Sequence, residues 1–452
     1  MVLNRGRSRG KIRYAVVDRT PPAAEVDWEN VIAPHSIRLV RTDNLLDRVL
    51  RNIIRALAKL EPRTRQEKDM IGALAKRAAL LGIVWLASLQ AGVASARPVE
   101  QKEFGQTLEG WKVTQYILTN KSGASVRLIN YGAIVTNLFV PDKSGKMGDV
   151  VLGFDDVTQY QESGPFIGCI AGRYANRIAN GTFTIDGVGY AVTLNQGMNC
   201  LHGGFKGLAK RMWDADAGVM PDGPTVRFTI LDKDGEEGFP GNVKVSVLYT
   251  LTNDNWLKVQ YYATTDKPTP INLTHHSYFN LGGNGKGDVL GYVAKIWADH
   301  YLPVNAALIP TGEIATVAGT PFNFTRAKPI GRDIGSLPAP FTGYDHTMVL
   351  NNPKADLVKA AAVYDPDSGR MLECWTTEPA VHFFTGNNLK GLVGKDGAVY
   401  AAHAAFCLET QHYPDSPNHP EFPDTILRPG QVYRQVTEFR FSVPASPLAA
   451  EP

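Results

Sequence analysis

Two short stretches of the chain carry side chains able to move a proton. Residues 271–281 read Ile-Asn-Leu-Thr-His-His-Ser-Tyr-Phe-Asn-Leu, and in a strand such side chains alternate between two faces. Odd positions give Ile271, Leu273, His275, Ser277, Phe279 and Leu281; even positions give Asn272, Thr274, His276, Tyr278 and Asn280. The even face is wholly polar, so it either meets water or lines a ligand cavity, and it carries His276. His275 falls on the apolar face, where an imidazole serves structure. Histidine titrates nearest neutrality of all side chains, which suits it to give or take a proton. The second stretch, residues 405–411, sets Phe406 and Leu408 on one face and Cys407, Glu409 and Gln411 on the other. A carboxylate in such a run is costly to bury alone. Glu409 is therefore paired, functional as a general base, or turned to solvent from an edge strand.

Three polar clusters fall in expected loops: residues 172–178 (Gly-Arg-Tyr-Ala-Asn-Arg-Ile), 199–204 (Asn-Cys-Leu-His-Gly-Gly) and 343–346 (Gly-Tyr-Asp-His). Their Arg, Asn, Asp and His side chains supply the donors and acceptors that read sugar hydroxyls. Gly203-Gly204 would let backbone approach a ligand closely. Taken singly, Asp345 reads equally as a surface turn and Arg177 as a structural ion pair.

The elements that must position these groups are strands. Phe183 and Ile185, then Asp186-Gly187, then Val188, Tyr190 and Val192 predict a hairpin, because Asp-Gly suits a tight turn with positive φ. Val243, Val245, Val247, Tyr249 and Leu251 predict a longer strand, and after a turn at residues 253–255 Leu257, Val259, Tyr261 and Ala263 predict its partner. No strand–helix–strand rhythm interrupts this pattern. An all-β fold follows, one large antiparallel β-sandwich over residues 104–445. The 43 Gly and 29 Pro among 452 residues agree, since both weaken helix interiors.

Charge and apolar runs divide the chain further. Residues 1–69 hold 15 Lys/Arg against 9 Asp/Glu, a net +6, whereas residues 70–452 hold 32 against 35, a net −3. A nucleic-acid surface on the main body is thereby disfavoured, because phosphates call for an excess of basic groups. Residues 70–96 combine a short basic region, the apolar run AALLGIVWLASL and Ala94-Ser95-Ala96, the three parts of a secretory signal peptide. The expected organisation is a basic leader over 1–69, a signal peptide over 70–96, and a β-sandwich domain over 97–452. Maturation near Arg97 would give a periplasmic or secreted protein with no stable membrane association. Without use of that signal the protein would be cytoplasmic. Cys169, Cys200, Cys374 and Cys407 include no CxxC spacing, so neither a zinc knot nor a dense disulfide framework is indicated.

Seven blocks in order, GRYANRIANGTFTIDG, LHGG, GFPGNVKVSVLYTLT, LTHHSYFNL, GYDH, FFTGN and LETQ, resemble the aldose 1-epimerase (galactose mutarotase) family over roughly residues 105–445. The resemblance implies a galactose mutarotase-like supersandwich and a metal-free, cofactor-free site that interconverts the α and β anomers of hexoses such as glucose and galactose. It implies His276 as acid and Glu409 as base, with Asn176, Arg177, His202, Asp345 and His382 contacting substrate. Two positions depart from the family: His275 stands where many relatives have Asn, and His382 where a substrate-contacting Gln is usual. Mutarotation opens a hemiacetal and recloses it on the other face. A base takes the C1 hydroxyl proton while an acid delivers one to the ring oxygen, with the two groups expected on opposing sides of the ring. The rival readings are a phosphosugar 1-epimerase, which needs further Arg or Lys for phosphate, a glycoside hydrolase pairing Glu409 with Asp345, and a non-catalytic carbohydrate-binding module.

Overall fold

The computed structural model describes residues 99–352, 354–446 and 448. The leader expected over 1–69 and the signal peptide expected over 70–96 lie outside the described residues. From Val99 onward the chain is built of antiparallel strands arranged in one nine-stranded sheet, two five-stranded sheets and several short pairs. The large sheet runs, in spatial order, Asp214–Met220, Gly223–Asp232, Val243–Leu251, Trp256–Thr265, Tyr433–Ser442, Met371–Thr376, Val358–Tyr364, Val293–Ile296 and Lys328–Pro329. One five-stranded sheet follows chain order from Val99–Gln106 to Met147–Asp149. The other runs Ala315–Thr316, His300–Tyr301, Asp345–Val349, Ala380–Phe384, Cys407–Gln411.

The alternation read from sequence sets which faces are buried. Along Trp256–Thr265, Leu257, Val259, Tyr261 and Ala263 are buried while Trp256, Lys258, Gln260 and Tyr262 stay partly exposed. Inward residues of the large sheet, including Val226, Phe228 and Val247, join Leu118, Val126 and Leu138 of one smaller sheet and Met348, Val381 and Leu408 of the other in one core. Each large aliphatic so buried contributes about 1.5–3 kcal/mol, which makes a one-residue register slip expensive. The Asp186-Gly187 hairpin forms as expected between Thr182–Ile185 and Val188–Ala191. Its two turn residues have φ of 51° and 82°, the left-handed values of a tight hairpin turn.

Residues 271–281 differ from the expected continuous strand. Only Thr274–His275 pairs as a strand, with Ile170–Ala171, and all of 271–281 is buried. The segment is enclosed, bridging singly to Tyr174, Val151 and Phe406, so both faces meet protein. Parity nonetheless separates the two histidines. His275 hydrogen-bonds Tyr249 Oη at 3.1 Å and Ser277 Oγ at 2.7 Å and packs on Phe439. Burial, with His276 adding to it, pushes His275 down to about 3, fitting a neutral structural group. Among the described residues all four cysteines are free and buried, and no helix is long and apolar enough to cross a membrane.

Asn272 ties this segment to the strand that carries Glu409. Its Oδ1 accepts from the His412 amide at 2.9 Å, and its own carbonyl accepts from the Ala175 amide at 2.7 Å. His412 Nδ1 then donates to Glu378 Oε2 at 2.5 Å. Burial alone would lower the His412 pKa, but the Glu378 carboxylate outweighs it and the net direction is upward. A pKa raised in the folded state stabilises fully below the unfolded value of about 6.5, and that contribution is lost as pH rises through the folded value. The melting-temperature gap between wild type and His412→Gln is therefore expected to be largest in mildly acidic buffer and to close toward alkaline pH. A gap that widens with pH would reject this pairing.

Candidate active site

Strand register brings the site's acidic side together. In the second five-stranded sheet Thr347 lies opposite His382 and His382 opposite Glu409, so the three stand abreast on neighbouring strands. His382 Nδ1 hydrogen-bonds Thr347 Oγ1 at 2.9 Å, and His382 Nε2 meets Asp345 Oδ1 at 2.7 Å. Asp345, expected in a loop, begins the strand Asp345–Val349. Burial pushes its pKa up, but the His382 hydrogen bond and the Arg177 charge outweigh this and hold it below the usual carboxylate range.

The opposite wall comes from the loop clusters. Arg177 sits in the pair Arg177–Ile178 with Cys200–Leu201, its Nη1 4.0 Å from Asp345 Oδ1 and its Nε donating to Gln196 Oε1 at 2.7 Å. Asn176 and His202 have φ of 61° and 50°, a left-handed conformation in which Asn and His are enriched among non-glycine residues. The Asn176 amide donates to His202 Nδ1 at 3.2 Å. Gly203 and Gly204 do not serve ligand approach as the sequence suggests. A Cβ on Gly203 would meet the Gly172 carbonyl oxygen at 2.2 Å, and one on Gly204 would meet Glu237 Oε2 at 2.2 Å; these glycines let the chain pack closely on itself.

His276 and Glu409 complete the site. His276 is held by backbone hydrogen bonds to residues 168 and 169, and its Nε2 lies 3.5 Å from Glu409 Oε1. The two groups that the resemblance implies as acid and base thus sit close together. Glu409 is 2% exposed, which excludes the solvent-facing edge glutamate. His276 Nδ1 and Glu409 Oε2 are buried with no hydrogen-bond partner among the described residues. Burial lowers the His276 pKa, with Glu409 partly opposing. His202 lies well below the ordinary value through burial, His276 and Arg177.

All seven residues singled out from sequence, Asn176, Arg177, His202, His276, Asp345, His382 and Glu409, line one pocket. Gln196, Tyr278, Phe166, Phe384 and Asn388 also line it and were not singled out. Tyr278 and Phe384 lay within recognised blocks, and Tyr278 stood on the polar parity beside His276. Gln196 and Phe166 carry no sequence signal, because they lie in connecting segments just outside the blocks, where neither alternation nor a motif marks them. A larger adjoining cavity is lined by residues 305–309 and 196–199 with Ala179 and Asn180, none of them titratable.

Donor atoms of His202, His276 and Glu409 lie within 4.8 Å of one another, a spacing that could hold a divalent cation. His202 does not suit that role. Accepting the Asn176 amide on Nδ1 assigns its neutral-state proton to Nε2, so its second nitrogen is a donor rather than a ligand.

Comparison with known proteins agrees with this geometry. The family model for aldose 1-epimerase matches residues 114–440. The chain is 44% identical to the galactose mutarotase of Rattus norvegicus over 346 residues, 76% of this chain and 99% of that one. It is 40% identical to the aldose 1-epimerase of Escherichia coli (strain K12), over 72% of this chain and 94% of that one. Among solved structures, a GalM/aldose epimerase homologue from C. elegans superposes with a TM-score of 0.67 at 33% identity, covering 72% of this chain and 98% of that one. The galactose 1-epimerase of Lactobacillus acidophilus NCFM gives 0.67 at 27% identity, covering 76% and 98%. The chain belongs to the aldose 1-epimerase family.

Proposed function

We infer that this chain is an isomerase that interconverts the α and β anomers of hexose sugars, with Glu409 as base and His276 as acid. The observation that carries the reading is their pairing: two buried titratable groups 3.5 Å apart, each with a polar atom that no described residue satisfies. A sugar's C1 hydroxyl and ring oxygen share one carbon, so they can meet the facing Glu409 Oε1 and His276 Nε2 together. Glu409 takes the C1 hydroxyl proton as His276 protonates the ring oxygen, the chain opens, the aldehyde turns, and the roles reverse on closure.

Two rivals fit the pocket less well. Among the described lining residues Arg177 is the single Arg or Lys, and it already faces Asp345, so a phosphate lacks its clamp. Asp345 is held by His382 and Arg177, which leaves it a poor second carboxylate for glycoside hydrolysis. Polarimetry of fresh α-D-glucose and α-D-galactose tests the function. Faster mutarotation without bond cleavage is expected. Binding with no change in rate would instead make the chain a carbohydrate-binding module.

Arg177, Asp345, Asn176 and His202 hold hydroxyls. Hydrogen bonds to charged groups contribute about 1.5–3 kcal/mol, so Asp345→Asn and Arg177→Ala should each raise KM about ten- to a hundredfold with smaller changes in kcat. His382, with both ring nitrogens engaged, acts by holding Asp345. The double variant Asp345→Asn/His382→Ala should then be little worse than Asp345→Asn alone. Wild-type KM in both Asp345→Asn and Arg177→Ala would remove them from the site.

A further inference from the structure

His276 lacks the device that commonly orients a catalytic imidazole, a hydrogen bond through the second ring nitrogen. Its Nδ1 has no hydrogen-bond partner among the described residues, and the 3.5 Å contact to Glu409 lies beyond ordinary hydrogen-bond length. The torsion that turns an imidazole about its Cβ–Cγ bond has a broad profile, so packing must set the ring plane. Tyr278, two residues along the segment, supplies that packing. Its ring lies parallel to His276, at an interplanar angle of 7° and a centroid separation of 5.1 Å. His202 meets His276 from another side with an edge at 5.1 Å and 66°.

Tyr278 is itself held from several directions. It is 2% exposed, its hydroxyl donates to the Pro165 carbonyl at 2.8 Å, and Phe384 meets its ring edge-on at 5.9 Å and 90°. Pro165 belongs to a segment fixed at its start by Lys210, whose Nζ donates to the carbonyls of Tyr160, Gln161 and Ser163 at 2.6, 2.9 and 2.8 Å. The next residue, Phe166, packs on His202 at 4.8 Å. One anchored segment thus steadies the aromatic neighbours of both histidines.

We propose that Tyr278 is the positioning residue of His276, its ring setting the plane in which the imidazole faces the sugar's ring oxygen. The proposal rests on the assignment of His276 as the acid. Tyr278 acts through His276, so its removal should spare binding and slow the chemical step.

The test is polarimetric kcat and KM for Tyr278→Leu, Tyr278→Phe, His276→Asn and the double variant Tyr278→Leu/His276→Asn. A misplaced group costs up to about a hundredfold, so Tyr278→Leu should lose about ten- to a hundredfold in kcat with KM within about twofold. Tyr278→Phe keeps the stacked ring and should restore kcat to within about threefold of wild type. On the His276→Asn background Tyr278→Leu should cost nothing further in kcat, because no imidazole remains to be oriented. A general structural defect would slow both backgrounds alike, and that result overturns the proposal. If Tyr278→Leu does not fold by thermal melt, Tyr278→Met, which fills the space without a flat face, takes its place in both backgrounds. Normal kcat in Tyr278→Leu beside an inactive His276→Asn would sink the positioning role and leave the acid assignment standing. Normal kcat in His276→Asn would overturn both.

Discussion

Replacing Glu409 with Gln is expected to lower kcat for mutarotation by about two to four orders of magnitude, the range that a positioned general base contributes. Gln keeps the side chain's length and one acceptor oxygen but cannot take up the C1 hydroxyl proton. The neighbourhood should tolerate the change. Glu409 lies abreast of His382 in the sheet, and its Oε2 makes no hydrogen bond to any described residue, so the swap breaks no internal network. KM should therefore move far less than kcat. Polarimetry on purified protein, with circular dichroism to confirm the sandwich, makes the comparison. Near-normal turnover in Glu409→Gln would falsify the base assignment.

Replacing His276 with Asn should cost kcat comparably, since the ring oxygen would then leave without a proton donor. The informative measurement is the double variant. With the two groups 3.5 Å apart and serving one ring opening, removal of either already abolishes the concerted path. The pair should then be little worse than either single change, as for other groups that act as a unit. Strictly multiplicative losses would mean that the two residues act in separate steps. A solvent-exposed histidine in the same place would give a weaker result, because bulk water could replace its proton; His276 is 4% exposed.

Some of this protein was determined by local sequence, for reasons that need no tertiary information. Side chains in extended chain alternate with period two, so the parity of residues 271–281 separated His276 from His275 whatever surrounds them. Asp186-Gly187 specifies its turn because few other pairs adopt positive φ at both positions. Alternation along residues 243–247 and 256–263 likewise foretold which face of the large sheet is buried. What lies opposite a residue was a different matter. Thr347, His382 and Glu409 become neighbours only through pairing between strands 35 and 27 positions apart, and no periodicity encodes that register. The tertiary structure alone therefore decided that both nitrogens of His382 are engaged, that Gln196 holds Arg177, and that Tyr278 stacks on His276. It also set Gly203 against the Gly172 backbone and Gly204 against the Glu237 carboxylate rather than in a ligand cradle, because a glycine permits close approach without specifying what approaches.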